Sequence, residues 1–470
     1  MEMQELLDTL IEEGTDKNKV ISELCSQNPD IKKGISDLID QYENRHKILE
    51  REDKIIKTKD GPKKEAVAKL ILSYQRKIVN YAVAFLFGKP VTLSCSNKES
   101  EKAFDKFKEH WKSLKMDSVL REFSRKIFVE KEAALLIYPQ IKEEGTEKIR
   151  KLRCMILCES NKDSIYPYFD NYGDLIAFTR KFKVKNSDGK EVEKLTIYTA
   201  DAIFDGEKSD NWIFSKKENI IKKIPVIYAF QNECEWNDVQ SLIDRQEMLI
   251  SKNADANDYF GNPALVSKGK LKNAPSKGEV GRFFQIEGEK NGSGDITYGD
   301  VEILTWDRAP ESIKMEHSIN DNFIHGFTNT PNITIDTIKG LGNLSGIALK
   351  LLFYDAILKS QNKQEIFGEV LERLINLLKV MIGGLIEKTE EEGFKKLNVE
   401  FEFGDNVPLN TQEMIDMLSV AAGGKPIISQ VGAVSKNPLV QDSVAEMENI
   451  GKEKEESINS INSKLNESFS

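Results

Sequence analysis

Three groupings in the chain have residue types that chemistry could use. Gly340, Gly342 and Gly346 stand in a short segment that echoes the glycine-rich turn by which a backbone approaches a dinucleotide pyrophosphate. The spacing departs from that fingerprint and no clear strand leads into it, so nucleotide binding is not indicated. Cys154 and Cys158 would supply half of a metal site. With Leu152 and Ile156 they fall on one face of an alternating strand, which favours small buried hydrophobes instead. The histidines, His46, His110, His317 and His325, are scattered, although His317 and His325 lie eight apart on roughly one face of a predicted helix. They read as packing or surface residues rather than ligands. A Gly-x-Ser-x-Gly elbow, a His-Glu-x-x-His pair and a Gly-x4-Gly-Lys-Ser/Thr phosphate loop are all absent from the sequence. The expectation is therefore no catalytic residue, no metal and no cofactor, and a mechanical or scaffolding role rather than an enzyme.

Composition sets the outer bounds. The chain has 470 residues, enough for two or more domains with sizeable cores. Hydrophobic residues make up 39% and charged residues 31%, which suits a helix-rich protein with extensive solvated faces. The longest apolar stretches, residues 78–87 and 377–386, are about ten residues each against the roughly 18 that a membrane span requires, so no membrane partner is expected. The acidic, amphipathic start does not read as a signal peptide. Five cysteines, an odd number, suggest reduced thiols and cytosolic synthesis. The formal net charge of −10 argues against a protein that simply wraps nucleic acid.

Hydrophobic periodicity then predicts the elements. Residues 1–60 are helical in pattern, with Ile31, Ile35, Leu38/Ile39, Tyr42 and Leu49 on one face. After a break at Asp60-Gly61-Pro62, a second helix is expected over Val67, Leu70/Ile71, Tyr74, Ile78, Tyr81/Ala82 and Phe85. Gly88 ends it, Pro90 forbids its continuation, and a strand starts at Val91-Thr92-Leu93. Residues 100–133 form another amphipathic helical region. Short strands follow at 135–138, 152–158, 177–184, 195–198 and 224–230. A helix over 235–260 has a narrow apolar seam of Val239, Leu242/Ile243, Leu249/Ile250 and Ala254, broken at Gln246. Such a helix is marginal alone and suits one stave of a bundle shared with neighbours. Eight glycines mark residues 261–300, with a strand expected at 283–286 and another at 301–306. Pro310 and Glu311 signal a helix running to about Phe327. Beyond the break at Pro331 a loop leads to a long helix at Leu344, capped by Ser345, with no proline before Gly393. An alternating strand is expected over 397–403, a helix from Thr411 capped by Asn410 or Thr411, and a helix over 438–450. The last 20 residues have the composition of a frayed or disordered extension.

Three stretches carry a resemblance. Tyr42, His46, Ile48, Leu49 and Arg51 resemble the Tyr-x-x-x-His-x-Ile-Leu-x-Arg element near the start of many tailed-bacteriophage portal subunits; an ordinary amphipathic helix is the other reading of that stretch. Leu86-Phe87-Gly88-Lys89-Pro90-Val91-Thr92 is very similar to a signature of siphophage portals. Gly342-Asn343-Leu344-Ser345-Gly346-Ile347-Ala348-Leu349-Lys350 is similar to a portal turn that faces the DNA channel. They stand in that family's order, and the resemblance covers about residues 30–450. It implies an α+β, portal-type subunit, assembled as a ring, with an α/β wing, a two-helix stem, a small β-containing clip, a long channel-spanning helix and a helical crown. By position the wing takes residues 1–234, the first stem helix 235–260, the clip 261–308 and the second stem helix 309–329. The channel loop takes 330–343, the long wing helix and return strand 344–408, the crown 409–450 and a polar flexible tail 451–470.

The function implied is a ring of about twelve subunits at one vertex of the virion capsid, built in the host cytoplasm. It would nucleate head assembly with major capsid and scaffolding proteins and dock the terminase large subunit. Double-stranded DNA would pass through it, held until a head-tail adaptor binds and later ejected. The channel loop would touch DNA through Asn332, Thr334, Asp336, Lys339, Gly340, Leu341, Gly342 and Asn343. Its glycines would give neighbouring subunits freedom to take different loop shapes, and Lys339 is its one positive charge. A basic group in the clip, Lys268, Lys270, Lys272, Lys277 and Arg282, with Phe283, would dock the motor or adaptor; a solvated hairpin is the alternative. An acidic wall suits sliding DNA, because it repels phosphates, and twelve copies carry on the order of −120 formal charges. Two other classes remain open on the sequence: a metal-dependent nucleic-acid-processing enzyme, and a neck or capsid-assembly protein without a DNA channel.

Overall fold

The computed structural model describes residues 3–12, 16–26, 29–58, 61–144, 147–185, 189–260, 264–268, 288–290, 296–298, 300–304, 310–333, 351–404, 411–440 and 443–468. The chain opens with four short helices, α1 (Met3–Asp8), α2 (Lys17–Leu24), α3 (Pro29–Lys32) and α4 (Ile35–Tyr42). Asp16 caps α2 by accepting from the Asn18 N–H at 3.2 Å. The 42–51 stretch is not a continuous helix. It turns through Asn44, at φ 65°, and closes as a 3-10 turn, Lys47–Glu50. A hairpin follows, β1 (Lys54–Thr58) with β2 (Gly61–Glu65), and then an extended segment before α5 (Tyr74–Phe87). The helix expected from Val67 therefore begins seven residues later. Lys57 lies opposite Pro62 in the hairpin, so Gly61-Pro62 starts a strand instead of punctuating two helices.

After β3 (Thr92–Ser94), the region 100–133 divides into α6 (Glu101–Ser113) and α7 (Met116–Glu130), separated at the left-handed Lys115. β4 (Glu132–Glu144) and β5 (Glu147–Leu157) form a long hairpin. A meander of β6 (Asp163–Phe169), β7 (Leu175–Lys185), β8 (Glu191–Tyr198), β9 (Ala202–Lys208) and β10 (Trp212–Glu218) follows, and β11 (Val226–Phe230) returns beside β4. All neighbours are antiparallel, in the orders β10-β9-β8-β7-β6 and β11-β4-β5. Alternation along the strands gives the five-stranded sheet two covered faces. Ala177, Ile197 and Phe204 pack under Leu7, Leu10, Val20 and Leu24 of the N-terminal segment. The neighbouring residues Phe178 and Tyr198 face Ala134, Leu136, Val226 and Tyr228 of the other sheet.

α8 (Gln240–Phe260) leads to two small antiparallel pairs, β12 (Ala264–Lys268) with β15 (Asp300–Leu304) and β13 (Gly288–Lys290) with β14 (Ile296–Tyr298). α9 (Pro310–Phe327) follows, within the bounds that Pro310 and Phe327 predicted. α10 (Tyr354–Met381) does not run on to Gly393. It ends in a wide π turn, Ile382–Ile386, before α11 (Glu391–Lys396). A Cβ on Gly383 would stand 2.8 Å from the Phe394 Cβ, so α11 folds back against a backbone that has no side chain. The strand expected over 397–403 shortens to β16 (Glu400–Glu402), paired with β3 through Phe401 and Leu93. α12 (Thr411–Ala422) and α13 (Gln430–Lys436) follow, the latter capped by Ser429 Oγ accepting from the Gly432 N–H at 3.1 Å. In place of a helix over 438–450, α14 (Ser443–Ser468) begins after Pro438 and continues through the polar tail, which is helical and not an irregular extension. Polarity there reports how little is buried, not which backbone forms.

Two compact units result. The first contains Met1–Tyr81, Cys95–Thr330 and Glu369–Val399; the second contains Ala82–Ser94, Pro331–Gly368 and Glu400–Ser470. Within the second, Phe87 packs edge-on to Phe367 (centroids 5.3 Å apart) and against Phe403 (5.8 Å), and Ser360 Oγ donates to the Phe85 carbonyl at 2.9 Å. The Phe87-Gly88-Lys89-Pro90 signature thus builds this unit's core, and a Cβ on Gly404 would stand only 2.6 Å from Lys89 Cβ. Among the described residues, no helix is long and apolar enough to cross a membrane.

Candidate functional site

Helix α8 carries Glu247, Ser251 and Asp255, three acceptors one turn apart. Four helical residues advance about 6 Å and two extended residues about 6.6 Å, so such a row can bond alternate N–H groups of an extended chain. It does so here. The Leu72 N–H donates to Glu247 Oε1 at 2.9 Å, that of Leu70 to Ser251 Oγ at 2.9 Å, and that of Ala68 to Asp255 Oδ1 at 2.6 Å. Residues 68–72 form a strap running antiparallel along α8. These donors are committed to side chains far away in sequence, which is why Val67, Leu70 and Ile71 do not join α5 despite their helical spacing.

The Tyr42 to Arg51 element locks the strap in place. Tyr42 stacks on Trp236 with centroids 6.3 Å apart, and Trp236 Nε1 donates to Gln41 Oε1 at 2.7 Å. Ile48 is buried. His46 is enclosed with Glu247, its Nδ1 2.5 Å from Oε1 and its Nε2 2.7 Å from the Gln41 carbonyl. Burial disfavours charge on this imidazole, but the Glu247 carboxylate and the Gln41 carbonyl outweigh it and raise its pKa. Arg51 donates to Asp255 Oδ2 at 2.5 Å and to the Ala68 carbonyl at 2.9 Å, and Lys54 stands 3.8 Å from the same carboxylate. Burial pushes the Asp255 carboxyl up; the Ala68 N–H, Arg51 and Lys54 pull it down further, so it stays ionised.

The opposite face of α8 meets α9. Gln246, the polar break in the seam, is fully buried and donates through Nε2 to His317 Nδ1 (2.8 Å) and to the His317 carbonyl (2.9 Å). Arg245 pairs with Glu316 at 2.7 Å. Tyr74 OH donates to Asp321 at 2.7 Å, and burial together with that carboxylate raises the phenol's pKa. His325 accepts from Lys77 at Nε2 (3.2 Å) and donates from Nδ1 to the Thr330 carbonyl (3.2 Å), and burial followed by the Lys77 charge lowers its pKa. Strap, α8 and α9 therefore form one cross-bonded slab, and the chain leaves it through β12 and returns through β15.

The residues singled out in the sequence have different fates. His46 and His317 are structural members of the slab, and the acceptors Glu247, Ser251, Asp255 and Asp321 were not anticipated. Their signal was the spacing Glu247-x3-Ser251-x3-Asp255 on a helix otherwise short of apolar residues. Cys154 and Cys158 stay thiols. The Cys154 pKa is raised by burial, and Cys158 is pushed up to about 11 by burial and by Glu130. Among the described residues, no group of three His, Cys, Asp or Glu side chains has the arrangement to hold a metal ion. Of the expected channel loop, Asn332 is half-buried in the irregular stretch 331–333, while Thr334, Asp336, Lys339, Gly340, Leu341, Gly342 and Asn343 lie outside the described residues. Of the basic group, Lys268 ends β12 opposite Asp300, while Lys270, Lys272, Lys277, Arg282 and Phe283 also lie outside them.

The chain matches one protein family, described as phage portal protein, SPP1 Gp6-like, over residues 23–460. No curated protein matches it.

Proposed function

The chain belongs to the family of SPP1 Gp6-like phage portal proteins, and from that premise we propose that about twelve copies close into a ring around a DNA channel at one capsid vertex. Membership makes it a capsid-associated structural protein of a tailed phage. The observation that carries the finer reading is the slab itself: two long helices side by side, bracketing an insertion whose ends pair as β12 and β15. In this reading α8 and α9 are the stem, and residues 261–308 are the clip, which receives the terminase large subunit during packaging and a head-tail adaptor afterwards. Lys268, Lys270, Lys272, Lys277, Arg282 and Phe283 supply its docking face. Residues 330–343 form the channel loop, with Asn332, Lys339 and the backbone around Gly340 and Gly342 touching phosphates transiently while DNA passes inward and, later, out. Major capsid and scaffolding proteins surround the ring during head assembly.

Electron microscopy of the purified chain with mass from light scattering tests this. Rings with a central hole and a mass of roughly 640–690 kDa, twelve or thirteen copies of 53.4 kDa, are expected. A stable monomer or dimer at high concentration would overturn it.

A further inference from the structure

Helix α9 presents Met315, Ile319, Phe323 and Phe327 one turn apart, exposed by 66, 40, 48 and 62%. Phe323 and Phe327 stack on each other 5.5 Å apart. At about 100° per residue this row points roughly 165° away from the face made by His317, Asp321, Ile324, His325 and Thr328, which is turned inward or bonded within the slab. Single exposed apolar residues need no explanation, but four in one stripe do. At about 200 Å² per side chain the stripe exposes roughly 400 Å² of apolar surface, about half of what each partner contributes to a standard interface of ~800 Å² per side.

The slab has a second apolar edge. Leu49 and Leu70 are 42 and 41% exposed on two segments tied where Lys69 Nζ donates to the Leu49 carbonyl at 2.9 Å, and Ile55, 67% exposed, follows in β1. They ride on the strap side of α8. Around that helix, the Glu247, Ser251 and Asp255 row and the Arg245 and Gln246 pair are about 170° apart. Two different apolar patches therefore look out from opposite sides of one cross-bonded body.

We infer that the α9 stripe of one copy seats on the Leu49, Ile55 and Leu70 edge of a second copy of this chain, head to tail. A self-complementary contact would use one patch twice and close as a dimer, whereas two unlike patches facing opposite ways propagate, and close as a ring when the rotation between copies divides a full turn. The inference rests on the ring reading above and adds to it which faces meet.

The test uses full-length variants, each carrying one blocked face: Ile319→Glu with Phe323→Glu, and Leu49→Glu with Leu70→Glu. Each alone should lose assembly and scatter as a monomer, with thermal unfolding otherwise like wild type. Mixed in equal amounts, they should form a discrete dimer of about 107 kDa, because each supplies the face the other lacks. Rings from either variant alone would overturn the seam while leaving the portal reading intact. A wild-type chain that never assembles would sink both. Should the glutamate variants not fold, Phe323→Cys with Leu70→Cys, treated with a short bismaleimide, gives the same reading. With Cys25, Cys95 and Cys154 replaced by alanine in every chain tested, a ladder of covalent multimers from the double variant and none from either single one supports the seam; no ladder, or one from a single variant, overturns it.

Discussion

His46 has an oxygen acceptor at each nitrogen, the Glu247 carboxylate at Nδ1 and the Gln41 carbonyl at Nε2. Both acceptors are satisfied when each nitrogen carries a proton, so the geometry favours the imidazolium. His325 is the reverse: Lys77 donates to Nε2, which can accept only if the ring is neutral. The two therefore titrate with opposite sign. For His46 the folded pKa is raised, so its contribution is fully present below the ordinary value of 6.5 and fades as pH rises through the folded value. For His325 the folded pKa is lowered, so protonation opposes folding; its contribution is fully present above the ordinary value of 6.5 and is lost as pH falls from there through the folded value. Groups near them work in the same directions: Asp244 and Glu247 favour charge on His46, while at His325 burial and the Lys77 charge together outweigh Asp321. Melting curves of His46→Gln should show a loss of about 2–3 kcal/mol at pH 5.5–6, shrinking by pH 9. His325→Gln should show its largest loss near pH 8 and a smaller one at pH 5.5. Parallel pH profiles for the two variants would contradict a charged His46 beside a neutral His325.

The strap is an element that no local rule could reveal. Its three N–H groups bond side chains 175, 181 and 187 residues further along the chain, and a hydrophobic stripe read in isolation placed Val67 and Leu70 in a helix instead. Elements that carry their own instructions were legible: Pro310 and Glu311 open α9, and Gly88-Lys89-Pro90 separates α5 from β3. The meander was half legible. β7, β8 and β11 are apolar enough to stand out, whereas the outer strands are disguised, β6 by Pro167 and β10 by Lys216 and Lys217. Proline and lysine are tolerated at sheet edges because an edge strand leaves half its backbone groups unpaired. At the candidate site, the Tyr42, His46 and Arg51 positions were visible as a motif, but their partners were not. Arg51 ties the strap to α8 through Asp255, both side chains being largely buried at 14 and 8% exposure. Arg51→Ala leaves the Asp255 carboxylate with the Ala68 N–H and Lys54 as its one cation, so a loss near 3 kcal/mol is expected, at the lower end for a broken buried pair. Arg51→Lys keeps a charge but not the fork that also reaches Ala68, and should cost about 1 kcal/mol. Urea midpoints at one fixed protein concentration read both. Equal stability of the alanine and lysine variants would mean that the ion pair does not hold the strap.

At the scale of the whole molecule, charge and the apolar seam make opposite demands. Each copy carries −10, so assembly gathers like charges and repulsion opposes it. The seam inferred above answers that repulsion with uncharged side chains, Met315, Ile319, Phe323, Phe327, Leu49 and Leu70. Salt separates the two contributions. Raising ionic strength from about 0.05 M to 0.5 M shrinks the screening length from roughly 14 to 4 Å, weakening repulsion between copies while leaving apolar burial intact. The assembled fraction at a fixed, limiting concentration should therefore rise with sodium chloride, read by light scattering. Dissociation on adding salt would mean that ion pairs between copies dominate the contact, and the stripe on α9 would lose its claim to the seam. The same screening bears on the channel. If DNA slides because an acidic wall repels it, added salt thins that repulsion and weakens phosphate contacts of Lys339 together, so drag on DNA in a ring carrying Lys339→Ala should depend less on salt than in wild type.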